Sequence, residues 1–123
     1  MANAVADGAR KAGATAEVFS VGDFSADKVG GYDALAWGCS AQGDEVLEEY
    51  EFEPKFDECA SAMSGKKVAL FGSYGWGVGE WMRTWESRCA EKGITLSAQS
   101  VIVNETPDGD GVEKCKALGT ALV

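Results

Sequence analysis

The stretch KVALFGSYGWGVGEWMRTWESRCAEK, Lys67–Lys92, decides the fold. Lys67–Phe71 is a short apolar run and reads as a strand buried on both faces. Gly72–Gly79 is a glycine-rich loop. Trp81, Trp85 and Cys89 then recur at i, i+4 and i+8, which predicts a helix over Trp81–Lys92, stopped by Gly93. A strand, a glycine loop and a helix in succession form one βα unit.

The same alternation continues in both directions. Downstream, Thr95–Val103 reads as a strand and Gly111–Val123 as a helix with Val112, Cys115, Leu118 and Leu122 inward. Upstream, Pro54 opens a helix to about Met63, with Phe56, Cys59, Ala60 and Met63 on one stripe. Ser40–Glu53 is a long acidic connection, and Ala34–Cys39 fits a doubly buried strand. Asp23–Gly31 is a polar loop or short helical turn, and Thr15–Val21 (TAEVFSV) alternates as a strand does. Met1–Ala12 carries Met1, Val5, Ala9 and Ala12 at helical spacing, with Gly13 as its cap. Strands interleaved with helices imply an α/β fold, a parallel sheet with helices on both faces, and one domain over residues 1–123. The first helix begins at residue 1 with no strand to deliver it.

Composition narrows the chemistry. The net charge of -9 repels phosphate backbones, which excludes a nucleic-acid role and favours a basic protein partner. The absence of histidine removes the usual general base and most zinc or haem ligand sets. Cys39, Cys59, Cys89 and Cys115 stand too far apart for a CxxC redox or metal motif, and buried free thiols are expected. No apolar run approaches the ~20 residues of a membrane span, and no signal-peptide pattern opens the chain, so a cytoplasmic location is expected. No nucleophile constellation or metal set marks an enzyme.

Ligands of open parallel sheets sit outside the carboxyl ends of the strands. Three loops reach that edge: Gly38–Glu45 (GCSAQGDE), Gly72–Gly79 (GSYGWGVG) and Asn104–Asp110 (NETPDGD). Trp76 lies between Gly75 and Gly77. It either offers its face to a planar ligand, worth about 0.5–1.5 kcal/mol beyond area burial, or folds back onto the core. Trp81, Trp85 and Trp37 read as core. The loop with Gly43, Asp44 and Glu45 is either an ordinary acidic connection or a source of backbone donors with one easily flipped peptide at Gly43.

At these loops the chain resembles the short-chain flavodoxins. FGSYGWGVGEWM (Phe71–Met82) is similar to their second flavin-binding loop and GCSAQGDEVLE (Gly38–Glu48) to their first. IVNETPD (Ile102–Asp108) resembles the segment after their last strand, and Met1–Gly13 their first helix. The resemblance implies a doubly wound flavodoxin-like sheet of order 2-1-3-4-5 that lacks strand 1 and the phosphate-binding loop. It implies FMN as cofactor and a low-potential one-electron carrier. Trp76 would stack on one face of the ring. Gln42 falls where close relatives often place a methionine against the other face. Gly43 would be the peptide that flips as the ring gains a proton, and Glu45 would accept from the imide N–H. Ser73, Tyr74, Gly75 and Gly77 would shape the cradle, Ser40 and Ala41 would line its edge, and Asp44 and Asn104 would complete the set.

The family's missing strand lies inside its sheet, which would leave its neighbours about 9–10 Å apart with unpaired backbone groups. Met1 is therefore expected not to be the native start, and exposed strand edges could pair between copies. The acidic run Asp44, Glu45, Glu48, Glu49, Glu51 and Glu53 would oppose a negatively charged reduced ring and would dock basic redox proteins. The alternative is an FMN-less interaction module of the same fold with an acidic docking face. A phosphoacceptor receiver domain fits poorly, because the strand ends read Gly38-Cys39-Ser40 and Asn104-Glu105 where it needs an aspartate and a lysine.

Overall fold

In the computed structural model, which describes residues 1–40, 50–75, 79–104 and 108–123, the chain is organised around strand β2, Lys67–Tyr74. Successive side chains of a strand point to opposite faces. Val68 and Leu70 accordingly enter one apolar cluster, and Ala69 and Phe71 enter the other. Strands β1 (Ala34–Gly38) and β3 (Val101–Asn104) flank β2, both parallel to it, in the order β1-β2-β3. Ala34 pairs with Lys67 and Gly38 with Phe71, while Phe71 pairs with Val101 and Tyr74 with Asn104. The carboxyl ends of all three strands therefore share one edge.

Helices cover both faces. Helices α1 (Ala2–Lys11) and α5 (Gly109–Ala121) bury Val5, Cys115 and Leu118, with Leu122 just past the end of α5, against Ala69 and Phe71. The opposite face holds α2 (Ala26–Val29), α3 (Phe52–Ala60) and α4 (Glu80–Glu91), whose Val29, Phe56, Cys59, Trp81, Trp85 and Cys89 pack with Leu35, Trp37, Val68 and Leu70. Chain ends of these helices are closed locally. Gly93, at φ 77°, lets the Ile94 N–H turn back to the Cys89 carbonyl at 2.9 Å and ends α4. Asp108 caps α5 by accepting from the Gly111 N–H at 2.9 Å. Three cysteines are fully buried, Cys39 is half-buried, and all four are free thiols.

Several expectations change. Thr15–Val21 is not a strand. A strand needs a ladder partner, and no described residue pairs with this backbone. Its contacts are to side chains instead: Arg10 Nη2 donates to the Ala16 carbonyl at 2.8 Å, and the Tyr32 hydroxyl donates to Glu17 Oε1 at 2.8 Å. Val18 stays 47% exposed. Thr95–Val103 pairs continuously only over Val101–Asn104. Before that, Leu96 forms a single bridge to Val68 and the Ser97 N–H donates to the Val68 carbonyl at 2.8 Å. Gly72, Ser73 and Tyr74 belong to β2 rather than to the loop, because β3 pairs with them. Ala12 faces solvent; Val5, Ala6 and Gly8 form the inner stripe of α1.

Candidate functional site

The carboxyl edge of the sheet is built by register. The Cys39 N–H donates to the Phe71 carbonyl at 3.1 Å and continues the β1 ladder by one bond, which brings Ser40 towards the end of β2. Ser73 and Tyr74 end β2 half-buried, Gly75 follows exposed, and Asn104 ends β3 directly opposite Tyr74. Ser40, Ser73, Tyr74, Gly75 and Asn104 thus meet at one rim, as the sequence predicts. Ala41, Gln42, Gly43, Asp44, Glu45, Trp76 and Gly77 lie outside the described residues.

Beneath the rim is a floor that the sequence motifs did not single out. The Trp81 indole N–H donates to the Cys39 carbonyl at 3.3 Å and ties the start of α4 to the end of β1. The Tyr74 ring lies on Trp81, centroids 5.5 Å apart and tilted by 48°. Gly72 packs against both Cys39 and Trp81: a Cβ there would run into the Cys39 carbonyl and sit 3.2 Å from Trp81 Cζ2. Helical spacing placed Trp81 in the core but gave no sign of this bond, because its partner is a main-chain oxygen far along the chain. Gly79 begins α4 in the left-handed region, φ 84°, with the Ile102 methyl 2.9 Å from where a Cβ would stand, so both backbone and space favour glycine there.

The rim's chemistry is that of neutral hydrogen bonding. Ser40 and Ser73 offer hydroxyls and Asn104 an amide, and the direction a Cβ would take from Gly75 is open, with no described residue within 4 Å. Such a set fits the polar edge of a planar heterocycle, with an aromatic floor beside it. The first turn of α1, Ala2-Asn3-Ala4, contributes backbone N–H groups but no hydroxyl side chain for a phosphate. Away from the rim, burial raises the Cys59, Cys89 and Cys115 thiols, Cys89 to about 11, so none is a reactive thiolate near neutral pH. Among the described residues no group of three or more His, Cys, Asp or Glu could hold a metal ion, and no helix is long and apolar enough to cross a membrane.

A parallel α/β sheet covered on both faces, with its polar groups gathered at the carboxyl edge, defines the doubly wound class that binds ligands there. Comparison with known proteins narrows the class. The flavodoxin family model matches residues 1–119. The flavodoxin of Clostridium beijerinckii is 47% identical over 122 residues, covering 99% of this chain and 88% of that protein. The flavodoxin of Megasphaera elsdenii is 44% identical over 121 residues, 98% of this chain and 86% of its own. The solution structure of two-electron reduced Megasphaera elsdenii flavodoxin superposes with a TM-score of 0.90 at 43% identity, covering 98% of this chain and 86% of that one. A flavodoxin from the domain Archaea reaches 0.86 at 27% identity, covering 98% and 83%. The chain belongs to the flavodoxin family. The electron-carrier reading is thereby supported over the FMN-less module.

Proposed function

We propose that this chain carries single electrons at low potential by holding FMN, non-covalently, at the carboxyl rim of its sheet, and that it is a carrier and not an enzyme. FMN supplies the redox chemistry when bound. The chain's residues bind and orient. Ser40, Ser73 and Asn104 present hydrogen-bonding groups, Gly75 leaves room for close approach, and the Trp81 tie to Cys39 holds the start of α4 against the end of β1. Trp76 provides a stacking face, Gln42 a contact on the other side, and Gly43, Asp44 and Glu45, with Ala41 and Gly77, line the polar edge of the ring. The observation that carries the proposal is the convergence of Ser40, Ser73–Gly75 and Asn104 at one rim in a member of this family.

Acidic residues set the potential. Each unit charge ~10 Å from the ring opposes a further negative charge by about 0.4–1.7 kcal/mol, for effective dielectric constants of 80 to 20. Asp44, Glu45, Glu48, Glu49, Glu51 and Glu53 together push reduction to low potential and present a surface for basic redox proteins in the cytoplasm. Among the described residues β1, ALAWG, pairs only with β2, and its other edge lacks the charge or proline that blocks pairing, so copies of the chain associate there at high concentration. Sedimentation that gives a monomer at every concentration would remove that last element.

Titration of the purified chain with FMN, followed by tryptophan fluorescence, tests the reading. Quenching that saturates, and that Trp76→Ala reduces by at least half, is the expected result. Fluorescence unchanged at high FMN would overturn it.

A further inference from the structure

Strand β1 is bonded along one edge. The Cys39 N–H donates to the Phe71 carbonyl, and successive residues of an extended strand turn their N–H and C=O groups to alternate edges. Leu35 and Trp37 therefore turn these groups to β2, and Ala36 and Gly38 turn theirs outward. Among the described residues no backbone group bonds the outward set. The side chains show the same gap. Ala36 is exposed, although its register partner Ala69 is fully buried. The middle of a covered parallel sheet ordinarily hides such a residue.

Across the gap runs Thr15–Val21. It leads from α1 on one face of the sheet to α2 on the other, so it must pass around an edge. Its contacts with Tyr32, just before β1, place it around the β1 edge: Phe19 lies 6.1 Å from that ring, and Glu17 accepts from its hydroxyl. Phe19, Phe24 and Trp37 form a row of rings with centroids 5.3 and 5.8 Å apart, which closes the gap on the α2 side. Yet Thr15–Val21 makes no ladder bond with β1, and Val18 is 47% exposed.

We propose that this slot binds an extended apolar segment at the free end of a partner protein, taken up as an added strand. The five residues of β1 set a run of about five, apolar on both faces. Glu17 and Asp33 beside the start of β1, in a chain of net charge -9, favour lysine on the flanks. The end must be free because the segment threads between β1 and Thr15–Val21. A second copy pairs edge to edge but does not enter, since its own β1 and β3 are fixed to β2. This activity is separate from the FMN reading and stands without it.

The probe is the acetylated and amidated peptide Lys-Val-Ile-Val-Ile-Val-Lys, added to the full chain at a concentration where sedimentation gives a monomer. Amide hydrogen exchange reads the slot directly. In the free chain the Leu35 and Trp37 amides exchange slowly and the Ala36 and Gly38 amides fast. Saturating peptide slows the second pair by at least about tenfold and leaves the first unchanged. Ala36→Pro deletes an outward N–H and no bond to β2, so the chain keeps its fold and binds the peptide about tenfold more weakly in an NMR titration. Proline in place of the peptide's central valine has the same effect without altering the chain, and it decides alone if Ala36→Pro does not fold. Ala36 and Gly38 amides already slow in the free monomer, no slowing with peptide, or binding indifferent to the prolines would overturn the proposal. Slowing that follows chain concentration and that peptide does not compete away would assign the edge to a second copy and overturn it too.

Discussion

The two faces of the sheet are closed by different means. On the α1/α5 face the helices meet backbone to backbone. A Cβ on Gly8 would strike the Lys116 carbonyl and one on Gly119 the Val5 carbonyl, and Thr120 Oγ1 donates across the contact to the Gly8 carbonyl at 3.2 Å. On the α3/α4 face the helices are held apart by rings. Trp37, Phe52, Phe56 and Trp85 pack edge to face at 5.2–5.9 Å, with the Trp37 indole N–H directed at Met63 Sδ, 2.9 Å away. The first face has no slack for an added atom, and the second loses most from a removed one. The comparison teaches that one sheet can carry a tightly closed side and an opposite side whose spacing is set by replaceable side chains.

Removing a ring should show the larger effect. Phe56 is fully buried between Trp37 and Trp85. Phe56→Ala should cost about 4 kcal/mol in urea unfolding, the combined loss of transfer energy and the cavity left behind. A loss below 1 kcal/mol would mean the ring layer collapses freely and does not set the helix spacing.

Adding a methyl on the opposite face comes next. Gly119→Ala gains up to about 1 kcal/mol of helix propensity but forces α1 and α5 apart, and a net loss of about 2 kcal/mol is expected. A stabilised variant would show that the backbone contact has room. The same change at Gly8 should behave alike and, since the two glycines share one contact, should be less than additive with it.

Alkaline pH distinguishes the faces more gently. Burial, and then the nearby Glu86 carboxylate, raise the Cys89 thiol to about 11 from an ordinary 9.0, while Arg88 pulls it partly back. A raised thiol contributes stability that is intact below pH 9, where both folded and unfolded thiols hold their protons. The contribution is lost between pH 9 and about 11, where only the unfolded state has released its proton. Cys115, on the other face, is raised by burial and held back by the Met1 ammonium. The slope of stability against pH above 9 should therefore flatten more in Cys89→Ala than in Cys115→Ala, with a total effect on the order of 1–2 kcal/mol for Cys89. Equal slopes in both variants would erase this difference between the faces.

The ring face was legible in the sequence because large apolar residues declare their spacing. Phe56, Cys59 and Met63, like Trp81, Trp85 and Cys89, are buried along the stripes that their periodicity marks. The backbone face was not. Gly8 and Gly119 carry no side chain to form a pattern, and their role appears only when α1 and α5 cross. Thr15–Val21 alternates like a strand, yet alternation specifies a face and supplies no partner for the ladder. The break at Ser97–Ser100 was hidden for a related reason, since continuous β propensity does not reveal where pairing stops. At the rim, GSYGWGVG and GCSAQGDE lead to the carboxyl edge, and strand register brings Ser40, Ser73, Tyr74 and Asn104 to it. The tie from Trp81 to the Cys39 carbonyl went unread, because a bond to a main-chain oxygen leaves no mark in residue type.

The most direct test of where FMN binds is residue-by-residue NMR of the isotopically labelled chain as FMN is added. The account predicts shifts in the amides of Ser40, Ser73, Tyr74, Gly75 and Asn104, with those of Gly8 and Gly119 at the α1/α5 contact unmoved. Shifts confined to α1 and α5, or none at the rim with FMN in large excess, would contradict it.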